Sequence, residues 1–256
     1  MEGKTFIYFI GTAGSGKSTL TKNFNRWTEL KDIDAIKVNL DPGAENLPYD
    51  PDVDVRDWIS LEEVMDSYEL GPNGAQIACA DMLALNTEDI KNSIDQFKAD
   101  YVLVDTPGQL ELFVFREAGK HLIQTLNPQR SMIAYLMDYA LAKKPSSFVS
   151  QLLLSISTNF RLQKSQVNLL TKADMLPEEE IKKVKNWSRD TYELENALYE
   201  EEASMYREMN QEILKMIKDV GEQIRLHVVG EGDLYEIEDF YTTIQMQFAG
   251  GEDLTD

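Results

Sequence analysis

The chain has very few of the side chains that form disulfides or bind transition metals. Its 256 residues include one cysteine, Cys79, and two histidines, His121 and His227. A lone cysteine excludes an intramolecular disulfide and a cysteine-based zinc site, and two isolated histidines argue against a transition-metal enzyme. We therefore expect chemistry that depends on other side chains.

Long apolar runs are also missing. A membrane-spanning helix needs about 18 or more consecutive apolar residues, and no stretch of the sequence approaches that length. The apolar segment Thr5–Ile10 is too short for the core of a signal peptide, and it continues directly into a glycine-rich loop. We expect a cytoplasmic protein without a membrane partner.

Positive charge is scarce. The chain has 25 Lys and Arg residues against 45 Asp and Glu residues, which gives a formal net charge of −20. Such a surface repels phosphate backbones, so we expect no direct nucleic-acid partner. Any bound phosphate must be held locally, by backbone N–H groups, a few lysines and a divalent cation. The negative charge either keeps the chain soluble or attracts a basic partner protein.

Apolar segments with β propensity alternate with helical ones along the chain. Most of them are continuous apolar runs, which are typical of strands buried on both faces of a parallel sheet. The alternation predicts an α/β fold, a doubly wound and mostly parallel six-stranded sheet flanked by helices, in one domain over residues 1–249. The predicted strands are Thr5–Ile10, Ala35–Leu40, Tyr101–Asp105, Met132–Asp138, Gln166–Leu170 and Ile224–Val229, and the predicted helices are Lys17–Leu30, Asn86–Phe97, Leu112–Leu126 and Ser146–Arg161.

The segment Pro177–Val220 differs from the rest, because it is rich in Glu, Lys, Tyr and Met and contains no glycine. It predicts a helical insertion whose apolar stripe either packs internally or forms a groove for a partner. The predicted stripe consists of Tyr192, Leu194, Ala197, Leu198 and Met205.

The polar, acidic tail Gly250–Asp256 is expected to be flexible.

The segment Gly11–Ser18 has the pattern G-x-x-x-x-G-K-[ST] of a phosphate-binding loop, between a predicted strand and a predicted helix. Glycines allow backbone N–H groups to surround a phosphate at the positive end of the following helix. Lys17 is expected to reach the β- and γ-phosphates, and the Ser18 hydroxyl to bind Mg²⁺. The nucleotide-binding residues predicted here are Ala13, Gly14, Ser15, Gly16, Lys17, Ser18 and Thr19.

A second motif follows the apolar strand Tyr101–Asp105. P-loop enzymes place a carboxylate that holds Mg²⁺ at the end of such a strand, which makes Asp105 the candidate, acting through water. In Asp-Thr-Pro-Gly, Gly108 is expected to direct its backbone N–H at the γ-phosphate. By itself this tetrapeptide is an ordinary turn, and its meaning comes from the phosphate loop upstream.

The third motif, Thr171-Lys172-Ala173-Asp174, again follows a strand. The Asp174 carboxylate can accept both guanine N1–H and N2–H, which adenine cannot offer, and the stem of Lys172 can lie over the base. Thr171 stands where the usual pattern has Asn, and therefore loses one amide hydrogen bond. We interpret this as a guanine-binding loop, so that GTP is the expected substrate with Mg²⁺ as cofactor.

The segment Gly71-Pro72-Asn73-Gly74 alone predicts only a β-turn. In combination with the other motifs, however, the chain resembles the GPN-loop GTPases over nearly its whole length. The segments that carry the resemblance, in the order of that family, are Gly11–Ser18, Val38–Gly43, Asp54–Asp57, Gly71–Gly74, Asp105–Gln109 and Thr171–Asp174.

The resemblance implies an obligate homodimer in which the Gly-Pro-Asn loop of one subunit reaches the partner's active site. There the Asn73 amide would donate to a γ-phosphate oxygen, as an arginine finger does elsewhere but without charge. Asp41 resembles the carboxylate near Mg²⁺ and the attacking water, and Gln109 and Glu111 resemble the residues that orient this water. Arg56 matches the family pattern without an assignable role.

Two alternatives stay open. The family's association with building large complexes suggests an assembly factor with protein partners, in which nucleotide sets conformation and turnover is secondary. The second alternative is an ATP-dependent enzyme of the same superfamily, and Asp174 argues against it. The last base-binding loop departs from the usual Ser-Ala, because it has the acidic Glu231, which would have to point away from the base.

Overall fold

The apolar runs form the strands of one sheet. The computed structural model describes residues 3–201, 209, 212–216, 226–230 and 234–248. Within these residues every strand pairing is parallel. The strands are β1 (Thr5–Gly11), β2 (Ala35–Asn39), β3 (Val53–Asp54), β4 (Tyr101–Asp105), β5 (Ser131–Asp138), β6 (Ser165–Thr171) and β7 (Leu226–Val228), and their spatial order is β3-β2-β4-β1-β5-β6-β7.

The α/β fold with a parallel sheet is confirmed, with seven strands in the described part of the chain instead of six. The additional strand is β3, whose two residues pair with Val38 and Asn39 of β2. Two residues are too few for an alternating or continuous apolar pattern, so this edge strand leaves no signal in the sequence.

Eleven α-helices and two short 3-10 segments have defined bounds among the described residues, and residues 212–216 are also helical. The predicted helix Leu112–Leu126 is two helices, because Arg116 adopts an extended conformation between them. The helices are α1 (Lys17–Leu30), α2 (Leu61–Tyr68), α3 (Pro72–Leu85), α4 (Thr87–Asp95), α5 (Leu110–Phe113), α6 (Glu117–Leu126), α7 (Tyr139–Ala142), α8 (Pro145–Leu162), α9 (Glu178–Arg189), α10 (Thr191–Glu200) and α11 (Leu234–Phe248).

The Gly-Pro-Asn segment is the start of helix α3 and not the β-turn that the tetrapeptide alone predicts. Gly71 is the N-cap residue, and Pro72 is the first helical residue. Proline is favoured at this position because its missing N–H has no helical partner and its φ already suits a helix. Asn73 therefore lies in the first turn of a 14-residue helix.

Both faces of the sheet are covered, as its continuous apolar strands require. In β1, Phe6, Tyr8 and Ile10 pack into the apolar cluster on one face, while Ile7 and Phe9 belong to the cluster on the other. On the second face, aromatic side chains of α1 and α11 pack together, with the rings of Phe24 and Phe240 5.5 Å apart. The core thus holds β1 rigidly at the centre of the sheet.

The order of the strands reverses at β1, because β2 and β4 lie on one side of it and β5 and β6 on the other. In open parallel sheets this reversal creates a crevice at the carboxyl ends of the strands. Gly11 ends β1 at this crevice, Asp105 ends β4, and Thr171 ends β6. The fold therefore brings the three predicted motifs to one edge of the sheet.

The predicted helical insertion contains helices α9 and α10. Leu194 and Leu198 are buried, as the predicted stripe requires, and Ala197 is partly buried against the core. Tyr192 is 65% exposed, so it does not belong to this stripe. The insertion's end near 220 and the domain limits 1–249 stay predictions.

Several predicted features fall outside the described residues. They are Met205 of the apolar stripe, Ile224 at the start of the last predicted strand, Glu231 of the last base-binding loop, and the tail 250–256. Among the described helices, none combines the length and the apolar character that crossing a bilayer requires.

Candidate nucleotide-binding site

The loop between β1 and α1 has the backbone of a phosphate-binding loop. Gly14 and Gly16 have φ values of 76° and 92°, in the left-handed region that favours glycine. Gly11 tolerates no side chain, because a Cβ there would lie 2.6 Å from both the Leu136 carbonyl oxygen and Ser15 Oγ. Gly16 is the N-cap residue of α1, so the positive end of that helix faces the loop.

Within this loop, Ser15 and Lys17 are buried, and Gly16, Ser18 and Thr19 are partly buried. The Ser15 hydroxyl oxygen is buried without a hydrogen-bond partner. Ala13 and Gly14 are exposed at the outer turn. The Ser15 backbone N–H donates to the Thr12 carbonyl oxygen at 3.1 Å, which closes the turn of the loop.

The Lys17 ammonium group is paired with the protein's own backbone. Its Nζ donates to the carbonyl oxygens of Gly11 at 2.9 Å and Thr12 at 3.0 Å, and lies 3.4 Å from that of Gly108. Burial lowers the pKa of Lys17, which nearby carboxylates partly oppose. A phosphate entering the loop would exchange these carbonyl partners for charged oxygens, which form stronger hydrogen bonds.

Asp105 is buried at the end of β4 and accepts a hydrogen bond of 2.8 Å from the Tyr49 hydroxyl on Oδ2. Burial raises the pKa of this carboxyl to about 6, against the opposing effect of hydrogen bonds from Ser18 and Tyr49. Its Oδ1 is buried without a hydrogen-bond partner. A buried carboxylate oxygen without a partner is costly unless it gains a donor or a cation.

The carboxylate oxygens of Asp105 are suitable ligands for a Mg²⁺ ion. Mg²⁺ is usually held by one or two carboxylates together with waters and substrate phosphates. The described residues contain no cluster of three or more His, Cys, Asp or Glu side chains that could hold a metal. A cation here would therefore be held by Asp105, Asp41 and the Ser18 hydroxyl, with phosphate and water oxygens completing its shell.

Asp41 connects the two loops that follow β2 and β4. Its Oδ1 accepts from the Gly43 backbone N–H, and its Oδ2 accepts from the Gly108 backbone N–H, both at 2.9 Å. The N–H of Gly108, predicted to face a γ-phosphate, is thus satisfied by Asp41 in this structure. A γ-phosphate would have to displace one carboxylate oxygen to reach it.

The residues predicted to orient water lie beside this contact. A small cavity is lined by Asp41, Gly43, Gln76, Gly108 and Gln109, among others. The Gln109 side chain donates to Gln76 Oε1 on α3 at 3.0 Å.

Glu111 is exposed, in the first turn of α5, where a carboxylate also favours the helix. Asn73, at the start of α3, is also exposed. The structure therefore gathers Asp41, Gln109 and Gly108 at one cavity, whereas Glu111 and Asn73 face solvent.

A second cavity lies on the other side of the phosphate loop, at the ends of β6 and β7. Its lining is mainly apolar and contains all the predicted base-binding side chains. The lining residues are Gly16, Thr19, Leu20, Asn23, Thr171, Lys172, Asp174, Met175, Val229 and Gly230.

Thr171 links the base cavity to the phosphate loop. Its buried hydroxyl lies 2.7 Å from the Ser15 carbonyl oxygen of the phosphate loop and 3.1 Å from that of Met137. A hydroxyl has a single hydrogen, which these carbonyls engage, so Thr171 fixes the loop and offers no donor to a base.

Lys172 has a φ of 58°, and its Nζ forms an ion pair of 2.8 Å with Asp138 Oδ2 at the end of β5. The same Asp138 side chain caps helix α7 through the Ala140 N–H. Lys172 lines the base cavity, and its stacking over a base stays a prediction.

Several residues of the site were not predicted from the sequence. Tyr49, Gln76 and Asp138 belong to no motif, and their contacts span 56, 33 and 34 residues along the chain. Asn39 and Asp54 lie inside matched segments, but the sequence does not show that they contact each other. Distant pairs such as these depend on the strand order.

The comparisons with known proteins agree with this geometry. A family model described as a conserved hypothetical ATP binding protein matches residues 9–250. The GPN-loop GTPase of Pyrococcus abyssi is 33% identical over 252 residues, which cover 97% of this chain and 99% of that protein. The chain belongs to the GPN-loop GTPases.

Other GPN-loop GTPases show how far the likeness extends. GPN-loop GTPase 3 of Schizosaccharomyces pombe is 31% identical over 226 residues, 84% of this chain and 81% of that protein. The crystal structure of the Pyrococcus abyssi GTPase in its apo form aligns with a TM-score of 0.85 at 32% identity, covering 95% of this chain and 97% of that one. The likeness in fold therefore extends over nearly the whole chain.

Proposed function

We propose that the chain is a Mg²⁺-dependent GTP hydrolase that acts as a homodimeric switch. The observation that carries the proposal is the gathering of Lys17, Asp41 and Asp105 around the phosphate loop, next to a cavity that contains Asp174. The phosphate loop with these charged groups suits a triphosphate and a cation, and the cavity beside it suits a base that offers two N–H donors. Bound Mg²⁺ would supply charge neutralisation on the phosphate oxygens.

The residues of this chain would act by position. Lys17 and the loop N–H groups would bind the β- and γ-phosphates, and Asp174 would accept from guanine N1–H and N2–H. Asp41 and Gln109 would orient the water that attacks the γ-phosphorus, breaking its bond to the β–γ bridging oxygen to give GDP and phosphate. Glu111 would also orient this water if its side chain turned from the solvent towards the γ-phosphate.

The position of Asn73 supports the homodimer. Its side chain is exposed at the start of α3, on the same face as Ile77, which follows one turn later at a spacing of four residues. Ile77 is 44% exposed. A second copy that receives Asn73 would also cover this apolar side chain, which favours association.

A mixed dimer tests the contribution of Asn73 in trans. Asn73→Ala and Lys17→Ala are each expected to abolish hydrolysis, because every site then lacks one of the two groups. Mixing the two proteins should restore about one quarter of the sites, since half the dimers are mixed and each holds one complete site. The measurement is phosphate release after subunit exchange, with heterodimers confirmed by differential tags.

The matched control is Asn92→Ala, which removes an exposed asparagine from α4, outside the site. It should hydrolyse GTP as the unaltered chain does. Confirmed mixed dimers without any recovered activity would refute the action of Asn73 in trans.

The assembly role with protein partners is tested separately. An Asp41→Ala variant that binds GTP without hydrolysing it should lose cellular function if the chain is a switch driven by turnover. Full function of that variant would favour the assembly factor in which nucleotide only sets conformation.

A further inference from the structure

Arg56 makes an unusually complete set of hydrogen bonds for a half-exposed arginine. Its Nε lies 3.0 Å from both carboxylate oxygens of Asp54, and its second terminal nitrogen donates to Asp54 Oδ2 at 2.6 Å. The other terminal nitrogen donates to the Ala44 carbonyl oxygen at 2.8 Å. One planar guanidinium therefore joins the edge strand β3 to the loop that follows β2.

The contact continues from Asp54 to Asn39. The Asn39 side-chain amide donates to Asp54 Oδ1 at 2.9 Å, and this asparagine is fully buried at the end of β2. Burial by itself would raise the pKa of the Asp54 carboxyl, but the hydrogen bonds from Arg56 and Asn39 outweigh it, so the pKa lies below its ordinary value. Asp54 is therefore an ionised acceptor that holds two donors in place.

Asn39 in turn holds the backbone of Asp41. Its Oδ1 accepts from the Asp41 N–H at 3.0 Å, and its Nδ2 lies 3.2 Å from the Asp41 carbonyl oxygen. The loop 41–44 is thus fixed at its start by Asn39 and at its end by the bond from Arg56 to Ala44. Between these points, the Asp41 carboxylate spans the Gly43 and Gly108 backbone N–H groups.

We propose that Arg56 is a positioning residue for Asp41, acting through Asp54, Asn39 and the Ala44 carbonyl. The inference rests on the proposed function, because it concerns the catalytic work of Asp41. Arg56 would not touch the nucleotide. It would limit the freedom of loop 41–44, so that the Asp41 carboxylate faces the reacting atoms without an ordering cost at each turnover.

A positioning role and a merely structural role predict different measurements. Asp41 is predicted to act at the γ-phosphate, which GDP lacks, whereas loss of fold would weaken every nucleotide. Arg56→Gln should therefore lower kcat for GTP by about 10- to 100-fold, as expected for small displacements of a catalytic group. GDP affinity should stay within about twofold of that of the unaltered chain, because the GDP-binding loops keep their own contacts.

Arg56→Lys is the second variant, and it protects the test against misfolding. It keeps the charge beside Asp54, but its single nitrogen cannot form the bidentate pair and also reach the Ala44 carbonyl. Its kcat should lie between those of the unaltered chain and Arg56→Gln. The intermediate value would show that orientation matters in addition to charge.

Arg161→Gln is the matched control, because Arg161 also donates to one carboxylate, Glu117, and one backbone carbonyl, Phe115. It lies on α8, away from loop 41–44, and should keep both kcat and GDP affinity. The thermal midpoint of each variant is measured alongside.

Two results would overturn the inference, and a third would overturn the proposed function on which it rests. A kcat of Arg56→Gln within about twofold of the unaltered chain would overturn it. A parallel fall of kcat, GDP affinity and thermal midpoint would also overturn it, in favour of a structural role. If the unaltered chain binds GTP without hydrolysing it, the proposed function fails instead, which is a separate outcome.

Discussion

The two halves of the site differ in the character of their surfaces. Around the phosphate loop, Lys17 bonds to backbone carbonyls, Asp41 bonds to Gly108, and Asp105 accepts from Tyr49. The base cavity has a mainly apolar lining in its described part, although two of its polar side chains are also paired within the protein. The phosphate half is therefore rich in internal polar contacts, and the base half is a mainly apolar cavity.

This difference concerns how the residues of the site would serve a nucleotide-free state and a nucleotide-bound state. In the phosphate half, the predicted contacts of Lys17 and of the Gly108 N–H with GTP require that internal hydrogen bonds be exchanged, whereas Asp105 Oδ1 has no partner to give up. In the base half, the Lys172–Asp138 pair can remain while a base enters. The phosphate half is therefore the part suited to switching, and the base half is suited to selecting the nucleotide.

The largest effect is expected from the base half. Asp174→Asn places an amide where guanine presents two N–H donors, so GTP affinity should fall by about 100-fold through loss of charge-assisted hydrogen bonds. Xanthosine triphosphate, which has a carbonyl at C2, should gain affinity. Equilibrium titration with fluorescent nucleotides measures both changes.

The control for this prediction is Asp66→Asn, an exposed carboxylate on α2. It should leave both affinities unchanged. If Asp174→Asn binds GTP as well as the unaltered chain does, or if ATP analogues bind more tightly than GTP analogues, the base assignment is wrong.

The next effect concerns pH and the phosphate half. Burial raises the pKa of Asp105 from its ordinary value of 3.8 to about 6, so between these values the folded chain binds more protons than the unfolded chain. Its contribution to stability is therefore greatest at low pH and is lost as pH rises through 6. Relative to Asp105→Asn, the thermal midpoint of the chain without Mg²⁺ and nucleotide should fall by about 5 °C from pH 4.5 to 7.

Parallel melting curves of the two proteins measure this difference, because the many other carboxylates contribute equally to both. Addition of Mg²⁺ should reduce the difference for the unaltered chain at pH 7 by favouring the ionised carboxylate. Identical pH profiles for the two proteins would show that the buried carboxyl has an ordinary pKa.

The smallest effect is expected at Tyr49. Its hydroxyl donates to Asp105 Oδ2 in this structure, so Tyr49→Phe frees a second carboxylate oxygen for a cation. Mg²⁺ affinity in the presence of GDP should rise by about three- to tenfold, the usual range for one hydrogen bond to a charged group. Titration of Mg²⁺ against nucleotide fluorescence measures it.

Tyr68→Phe is the control for Tyr49, since Tyr68 is 64% exposed at the end of α2. A weaker Mg²⁺ affinity in Tyr49→Phe would show that the phenol supports the cation instead of competing with it. The contrast between a phosphate half rich in internal polar contacts and a mainly apolar base half would then need revision.

The parts that sequence reasoning predicted well are contiguous. Helix α1 has the predicted bounds Lys17–Leu30, and β4 has the predicted bounds Tyr101–Asp105. In both, a continuous pattern of at least five residues reports the structure. The short strand β3 and the division of the predicted helix Leu112–Leu126 escaped prediction, since neither has a pattern long enough to register.

The sequence by itself determined the kind of ligand to expect, because each motif carries its chemistry within a few neighbouring residues. Glycines and Lys17 in one loop suit phosphate, and a carboxylate such as Asp174 after a strand suits guanine. These properties depend on side-chain types and on the local backbone conformations that short sequence patterns favour.

Only the tertiary structure decided how the motifs contact one another. The bond between Thr171 and Ser15 joins residues 156 positions apart, and the bond between Gly108 and Asp41 spans 67. Arg56 reaches the Ala44 carbonyl, 12 positions away, where β3 pairs with β2. The physical reason is the strand order, which brings the carboxyl ends of distant strands to one edge of the sheet, where their loops pair their polar groups with each other.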